Sequence, residues 1–263
     1  MEQDLLSGGY DAVYGATPNS PTLRRIWHEI AEGPDFPEEF GHISFVTLPE
    51  LQRMATELRL SPGDTLVDLG CGMAGPALWM ARETHVNLVG VDASQVATEQ
   101  ARARAERLGL GDQARFIVGR FADTGLEAAS ADGAMSEDAI QYAPDKKAVM
   151  AEAARILRRG GRFVFTAFEL DPDRAANLPI LGADTVDDYR PVLTDAGFTV
   201  ESYEQVPGWP EPMTAAYSAV IDAKETLTQE MGEAPVGALV LEMTMTLGAK
   251  PYKRRVLAVA TRK

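Results

Sequence analysis

The chain has 263 residues, of which 45% are hydrophobic and 24% are charged, a composition typical of a folded protein that excludes long disorder as its main state. Its 25 Lys and Arg against 39 Asp and Glu give a formal net charge of −14, so no nucleic-acid or membrane partner is expected, because both require a basic surface. A single cysteine, Cys71, and three histidines exclude an internal disulfide and leave a metal site poorly supplied, so no metal is expected.

The first residues, Met1-Glu2-Gln3-Asp4, are acidic and lack the basic and apolar regions of a signal peptide. No run of about 18 apolar residues is present, so no segment is expected to span a membrane. These features favour a cytoplasmic enzyme.

Residues 1–60 are polar and mixed and are expected to form an N-terminal helical cap. Two helices are predicted there, Ser20–Ala31 and Ile43–Leu60, separated by the breaker-rich Gly33–Pro37. An apolar face of the first helix is typical of packing on a core, and if exposed it would favour a homodimer. This face consists of Leu23, Ile26, Trp27 and Ile30.

From Ser61 onwards short apolar runs alternate with helical patterns, which predicts a parallel sheet with helices on both faces. The predicted strands are Thr65–Leu69, Val86–Val91, Ala114–Val118, Gly133–Ser136, Arg162–Phe168, Phe198–Val206 and Arg254–Thr261. The predicted helices are Pro76–Glu83, a helix after Ser94 that reaches Leu108, Asp145–Arg159 and Asp187–Ala196. In the helix Asp145–Arg159, Arg158 and Arg159 suit the last turn and Gly160 suits the stop.

Glycines follow the first predicted strand in Asp68-Leu69-Gly70-Cys71-Gly72-Met73-Ala74-Gly75. They allow a sharp turn and a close approach of the backbone to a ligand, and the next helix offers free N–H groups. Asp92 ends the second strand about 20 residues later, where a carboxylate can accept hydrogen bonds from both hydroxyls of a ribose. No Lys or Arg lies between Asp64 and Met80, which favours a nucleoside ligand that is cationic and carries no phosphate.

Four segments resemble, in order and spacing, the signatures of class I S-adenosylmethionine-dependent methyltransferases. They are Asp68–Gly72, Val89–Ser94, Ser136–Ile140 and Arg155–Phe163. The resemblance covers about residues 61–168. It implies an α/β, Rossmann-like fold with a seven-stranded, mostly parallel sheet, an antiparallel last strand, helices on both faces and helical lid additions.

The same resemblance implies S-adenosylmethionine as the cofactor and assigns residues to it. Gly70 and Gly72 would line the methionine portion, Asp68 would orient its amino group, and Asp92 would bind the ribose. An aromatic pair near the start of the chain, Tyr10 with Tyr14, would close over the methionine end. The expected cofactor-binding residues are therefore Asp68, Gly70, Gly72, Asp92, Ala93, Phe121, Glu137 and Tyr14.

Two positions depart from the family pattern. Ala74 stands where many relatives have glycine, which narrows the loop. Arg120 stands where relatives commonly have an acid that accepts from the adenine amino group, and a guanidinium cannot accept a hydrogen bond. Asp123 is expected to supply that contact, with backbone groups near Phe121 as the alternative.

Methyl transfer is an in-line displacement, so the enzyme chiefly has to hold the acceptor atom beside the methyl carbon in a dry pocket. A general base is needed only if the acceptor loses a proton of high pKa. The candidates for such a catalytic residue are His42, Glu137 and Tyr142. Some relatives that methylate glycine-derived amines carry a histidine at the position of Tyr142.

An insertion, residues 207–251, precedes the last strand and contains two predicted helices, Met213–Met231 and Ala234–Leu247. Their apolar faces are expected to form, with residues 1–60, a lid over a hydrophobic pocket. The faces are Met213, Tyr217, Val220 and Ile221 on one helix and Val236, Leu239, Val240, Met243 and Leu247 on the other. The core domain would then comprise residues 61–206 and 252–263.

The leading hypothesis is transfer of a methyl group from S-adenosylmethionine to O, N or C of a small, fairly apolar molecule of secondary metabolism. One alternative is a methyltransferase-like fold that keeps the cofactor for structure and catalyses a cyclisation or rearrangement. Another is a nicotinamide-dependent dehydrogenase, which the spacing of Gly70, Gly72 and Gly75 permits but which Asp68 and the order of the later segments disfavour.

Overall fold

The computed structural model describes residues 10–176, 178 and 184–263, so the acidic start of the chain lies outside the described residues. In the described ranges seven strands form one sheet in the order β3-β2-β1-β4-β5-β7-β6. They are β1 (Thr65–Leu69), β2 (Asn87–Asp92), β3 (Ala114–Val118), β4 (Ala131–Glu137), β5 (Leu157–Leu170), β6 (Phe198–Gln205) and β7 (Lys253–Arg262). Strands β1 to β5 are parallel, and β7 is antiparallel to both β5 and β6. The predicted fold class is thereby confirmed.

Helices cover both faces of the sheet and continue beyond it at both ends of the chain. They are α1 (residues 10–16), α2 (Pro21–Ile26), α3 (Leu48–Leu58), α4 (Gly75–Thr84), α5 (Gln95–Arg107), α6 (Lys146–Ile156), α7 (Pro172–Ala175), α8 (Arg190–Asp195), α9 (Pro210–Asp222), α10 (Lys224–Met231) and α11 (Glu233–Ala249). A π-helical turn, Trp27–Glu32, continues α2. Among the residues that the structure describes, each helix is too short or too polar to cross a lipid bilayer.

Two predicted helix boundaries were wrong for identifiable reasons. The helix predicted from Ile43 begins only at Leu48, because Thr47 and Glu50 form a capping box that fixes the first turn. Helix α6 ends at Ile156 and does not reach Arg159, because Leu157 is extended and pairs with Ala131 of β4. Arg158, Arg159 and Gly160 therefore belong to β5, and tertiary pairing overrides the local helix-stop signal.

The N-terminal segment packs against α9, α10 and α11, and together they bury a third apolar cluster apart from the two clusters on the sheet faces. We call residues 10–47 and 207–252 the cover. The apolar face of α2 and the following turn lies inside this cluster, where Leu23, Ile26 and Trp27 are 2–4% exposed. It is not an exposed face, so it gives no support to a homodimer. The helix predicted over Met213–Met231 is two helices that meet at Ala223.

A buried ion pair connects the cover to the sheet. Asp138, just after β4, accepts hydrogen bonds from Arg255 Nε at 2.8 Å and Nη2 at 3.1 Å, and its Oδ2 also accepts from the N–H of Phe45 at 2.9 Å. The remaining nitrogen of the guanidinium, Nη1, donates to Glu50 Oε1 at 2.6 Å. One arginine on β7 thus fixes the loop that carries residues 41–46.

Candidate active site

A cavity lies between the carboxyl ends of the parallel strands and the cover, where ligands of open α/β sheets bind. One part of its lining is the glycine loop with the ends of β2 and β4. The opposite part is mostly apolar and aromatic and comes from the cover and the end of β5. This part includes Trp27, Phe45, Phe168, Met213, Tyr217, Leu239 and Met243.

The glycine loop needs glycine at two positions. Gly70 has φ +81°, and a Cβ there would lie 2.7 Å from the Cβ of Ala139 and 2.9 Å from the ring of Phe121. Gly72 has φ +51°, and a Cβ there would lie 2.9 Å from the hydroxyl of Tyr14. The backbone at Gly70 and Gly72, which we call the glycine floor, therefore presents no side chain to the cavity, and the hydroxyl of Tyr14 lies next to it.

Asp92 organises this floor. Its Oδ2 accepts a hydrogen bond from the N–H of Gly72 at 2.8 Å, and its Oδ1 accepts from the N–H of Ser94 at 2.9 Å. Burial raises the pKa of the Asp92 carboxyl against the effect of these bonds. Each carboxylate oxygen has a further lone pair, so the group can still accept from two hydroxyls of a ligand. Ala93, the next residue, also lines the cavity.

Two further acids make the same end of the site acidic: Glu137 lines the cavity, and Asp68, which is not among its lining residues, lies close enough to raise the pKa of Glu137. Both side chains are buried, and in the part of the chain that the structure describes Asp68 Oδ1 and Glu137 Oε1 have no hydrogen-bond partner. Burial raises the pKa of both carboxyls, and Asp92 beside Asp68 and Asp68 beside Glu137 raise them further. Because no Lys or Arg among the described residues forms an ion pair with either, a cationic nucleoside fits this end and a pyrophosphate does not. Cys71 is buried with a raised pKa, which suits a small loop residue and not a nucleophile.

His42 lies in the cavity wall, but its hydrogen bonds do not suit a general base. Its Nδ1 accepts from the N–H of Ser44 at 3.1 Å, so in the neutral ring the proton is on Nε2, which is buried without a partner. Burial lowers the pKa of His42 to about 4, so the ring is neutral at pH 7. His42 therefore offers a hydrogen-bond donor where the sequence interpretation placed a base.

The hydrogen bonds of Tyr142 also do not suit a general base. Its hydroxyl donates to Glu242 Oε1 at 2.8 Å, and Tyr10 donates to the same oxygen at 3.1 Å. Burial raises the pKa of Tyr142 well above its ordinary value, followed by the effect of Glu242, so the phenol keeps its proton. Both tyrosines therefore orient the carboxylate of Glu242.

Glu242 and Lys253 are functional candidates that the sequence reasoning missed. Both line the cavity, yet they are not in contact, and Lys253 Nζ has no hydrogen bond or ion pair within the described ranges apart from its approach to the Phe168 ring at 5.6 Å. Burial lowers the pKa of Lys253 to about 8 and raises that of Glu242. No local motif marks either residue, because Glu242 lies next to the apolar face of its predicted helix and Lys253 lies directly before the predicted last strand.

Asp123 is placed away from the position that its expected role requires. Its side chain is exposed and does not line the cavity, and its backbone pairs with that of Arg120 in an isolated bridge. Gly119 and Phe121 line the cavity instead, which favours the alternative of a backbone contact to a base.

Replacing Asp123 by Ala is therefore expected to leave the affinity for S-adenosylhomocysteine within about twofold of the unaltered protein, a difference below 0.5 kcal/mol. Isothermal titration calorimetry measures this directly. A tenfold loss of affinity would show instead that Asp123 contributes to binding.

Comparisons with known proteins agree with this geometry. A family model described as a methyltransferase domain matches residues 67–165. The chain is 28% identical to 27-O-demethylrifamycin SV methyltransferase of Amycolatopsis mediterranei over 78% of its own length and 77% of that protein. It is 34% identical to sarcosine/dimethylglycine N-methyltransferase of Aphanothece halophytica over 49% of its length and 46% of that protein. Among solved structures, a cyclopropane synthase from Mycobacterium tuberculosis superposes with a TM-score of 0.75 at 15% identity, covering 97% of this chain and 98% of that one.

Proposed function

We propose that this chain, which is a class I S-adenosylmethionine-dependent methyltransferase, methylates a hydroxyl of a small and largely apolar organic molecule held under the cover. The expected cofactor and the expected transfer of a methyl group to a small molecule are confirmed. The choice of oxygen rests on Glu242 and Lys253, which both line the acceptor end of the cavity without contacting each other.

The cofactor supplies an electrophilic methyl group on a positively charged sulfur. On our proposal Asp92, Ala93 and Phe121 hold the nucleoside, and the glycine floor at Gly70 and Gly72 takes the amino-acid portion. The unpartnered oxygens of Asp68 and Glu137 hold its ammonium group, since both are buried and lack a partner. The Tyr14 hydroxyl above Gly72 covers this portion. These assignments make Glu137 a cofactor residue and not a base.

At the acceptor end the apolar wall positions the body of the molecule, and its hydroxyl lies between Glu242 and Lys253. The neutral amine of Lys253 accepts the hydroxyl proton as the oxygen takes up the methyl group, and the negative charge of Glu242 stabilises the ammonium group that Lys253 then carries. Water is excluded by the cover, which strengthens both contacts and avoids solvation of the reacting charges.

The test incubates the protein with labelled S-adenosylmethionine and, in separate reactions, a phenol, a primary amine or an alkene, the three being similar to each other in size. Formation of S-adenosylhomocysteine is measured in each reaction. We expect turnover of the phenol, with a rate that rises between pH 7 and 9 because the pKa of Lys253 is about 8 and only the neutral amine accepts a proton. In Lys253→Met this pH-dependent rise is lost and the rate falls by about 100-fold.

Lys224→Met is the matched control, because Lys224 is exposed on α10 and is the same kind of residue. It should leave the pH profile unchanged. Turnover of the amine without turnover of the phenol, or an intact pH rise in Lys253→Met, would contradict the assignment to oxygen. Retained cofactor binding with no S-adenosylhomocysteine from any acceptor would favour the cyclisation alternative.

The remaining features of the proposal concern the setting of the enzyme. We propose a cytoplasmic enzyme of secondary metabolism with a small-molecule acceptor, a setting supported by the likeness to 27-O-demethylrifamycin SV methyltransferase. The net charge of −14 supports the absence of a nucleic-acid or membrane partner. The N-terminal cap and the insertion are proposed to act as a lid over the core and not as a separate domain, because they bury a common apolar cluster.

A further inference from the structure

A second cavity lies on the other side of the wall that contains His42, between α2 and α5. Six residues line both cavities and form this wall: Leu23, Trp27, Gly41, His42, Ile43 and Met73. Apart from Met73, the second cavity includes no residue of the glycine loop, and it includes neither Asp92 nor Glu137. It is thus separate from the site that binds the cofactor.

The charges of the two cavities are opposite. Arg24, Arg104 and Arg107 line the second cavity, and within the described residues no Asp or Glu does. The main cavity is acidic, with several carboxylates and Lys253 as its basic residue in the part of the chain that the structure describes. A concentration of three guanidinium groups is unusual in a chain of net charge −14, and it attracts anions.

These guanidinium groups are only partly neutralised by the protein. Arg24 Nη1 donates to Glu32 Oε1 at 2.7 Å, and Arg104 Nη1 donates to the carbonyl oxygen of Gly41 at 2.8 Å. Arg107 is exposed and forms no hydrogen bond or ion pair among the described residues. Burial, Arg24 and Arg107 lower the pKa of Arg104 to about 10, so it remains charged at pH 7 and its charge is not balanced by an acid in contact.

The wall supplies a donor without a partner. His42 is 8% exposed, and its Nε2 carries the ring proton because Nδ1 accepts from the N–H of Ser44. No hydrogen-bond acceptor of the described residues reaches this Nε2. Buried polar atoms normally have a partner, so the cavity is arranged for a polar ligand.

We propose that the second cavity binds an amphiphilic anion, a carboxylate or phosphate head on an apolar body. The head contacts the guanidinium groups of Arg104 and Arg107, and the body lies against Leu23, Trp27 and Met73. Its ligand is a molecule distinct from the cofactor, since the sulfonium of the cofactor requires the acidic cavity on the other side of the wall.

Titration calorimetry with octyl phosphate and with inorganic phosphate, without cofactor or acceptor, tests this site independently of methyl transfer. Octyl phosphate should bind with one-to-one stoichiometry and at least about 10-fold more tightly than inorganic phosphate, because its chain buries apolar surface. Arg107→Gln should weaken the binding of octyl phosphate by about 10-fold, since one charge-assisted contact is lost. Within the described ranges Arg107 has no hydrogen-bond or ion-pair partner, so this variant should keep its melting temperature.

Arg115→Gln is the matched control, because Arg115 is exposed on β3 and does not line the cavity. It should bind octyl phosphate like the unaltered protein. Equal weakening of octyl phosphate binding in Arg107→Gln and Arg115→Gln would indicate a general charge effect and overturn the proposed site. Equal affinity for inorganic phosphate and octyl phosphate would overturn the amphiphilic character, and unchanged binding in Arg107→Gln would overturn the location.

Discussion

Replacing Asp92 by Ala is expected to weaken binding of S-adenosylhomocysteine by at least about 100-fold, because two charge-assisted hydrogen bonds of roughly 1.5 kcal/mol or more each are lost. The loss has a second cause within the protein. Asp92 accepts from the N–H groups of Gly72 and Ser94, so its removal leaves both donors without their acceptor and loosens the glycine floor. Isothermal titration calorimetry with S-adenosylhomocysteine measures the affinity.

Two further variants make this result specific. Asp92→Asn retains one acceptor oxygen and should show an intermediate loss of affinity. Asp112→Ala removes an exposed acid outside the cavity and should bind normally, so it controls for the change in net charge. An Asp92→Ala protein that binds within about threefold of the unaltered protein, less than 1 kcal/mol, would remove Asp92 from the ribose site.

Replacing Arg255 by Met is expected to lower the free energy of unfolding by about 3–5 kcal/mol, because the buried carboxylate of Asp138 and the partly buried carboxylate of Glu50 lose their partner. Arg255 is 1% exposed, so solvent does not compensate for the lost charge. For a chain of this size the melting temperature should fall by roughly 6–20 °C. Thermal denaturation followed by circular dichroism measures it.

The neighbouring Arg254 is the matched control. Its side chain is 55% exposed, and its partner Glu169, at 3.1 Å, is buried but keeps the hydrogen bond that Tyr203 donates to it, so Arg254→Met should cost at most about 1 kcal/mol. Adding Asp138→Asn to Arg255→Met removes one of the uncompensated charges and should recover part of the lost stability. Equal destabilisation by Arg254→Met and Arg255→Met would show that the buried ion pair has no special role.

The sequence predicted the sheet closely where signals are local. Strands β1 and β3 have the predicted bounds, because each is a short apolar run between turn residues. The end of α6 was wrong because the basic residues and Gly160 give the same local signal whether the chain stops as a helix or continues as a strand. Only the pairing of Leu157 with Ala131 decides between these outcomes.

The candidate site likewise has one part that local sequence signals predict and one part that they do not. The cofactor end comes from short motifs with fixed spacing, so Asp68, Gly70 and Asp92 could be named from the sequence. The acceptor end is assembled from distant segments, as in the contact between Tyr10 and Glu242, which lie 232 positions apart. No pattern of neighbouring residues specifies such a contact, and Glu242 and Lys253 became visible only in the folded chain.

The position of α1 has a consequence for the timing of turnover. Tyr14 stands over Gly72, so a molecule on the glycine floor lies beneath this helix. The helix is fastened by side-chain hydrogen bonds, from Ser94 to Asp11, from Gln100 to the carbonyl oxygen of Tyr14 at 2.7 Å, and from Tyr10 to Glu242. Each is worth about 1 kcal/mol, so together they form a latch that opens readily on the scale of catalysis. Departure of the spent cofactor then requires α1 to move, which links product release to the three contacts that hold this helix.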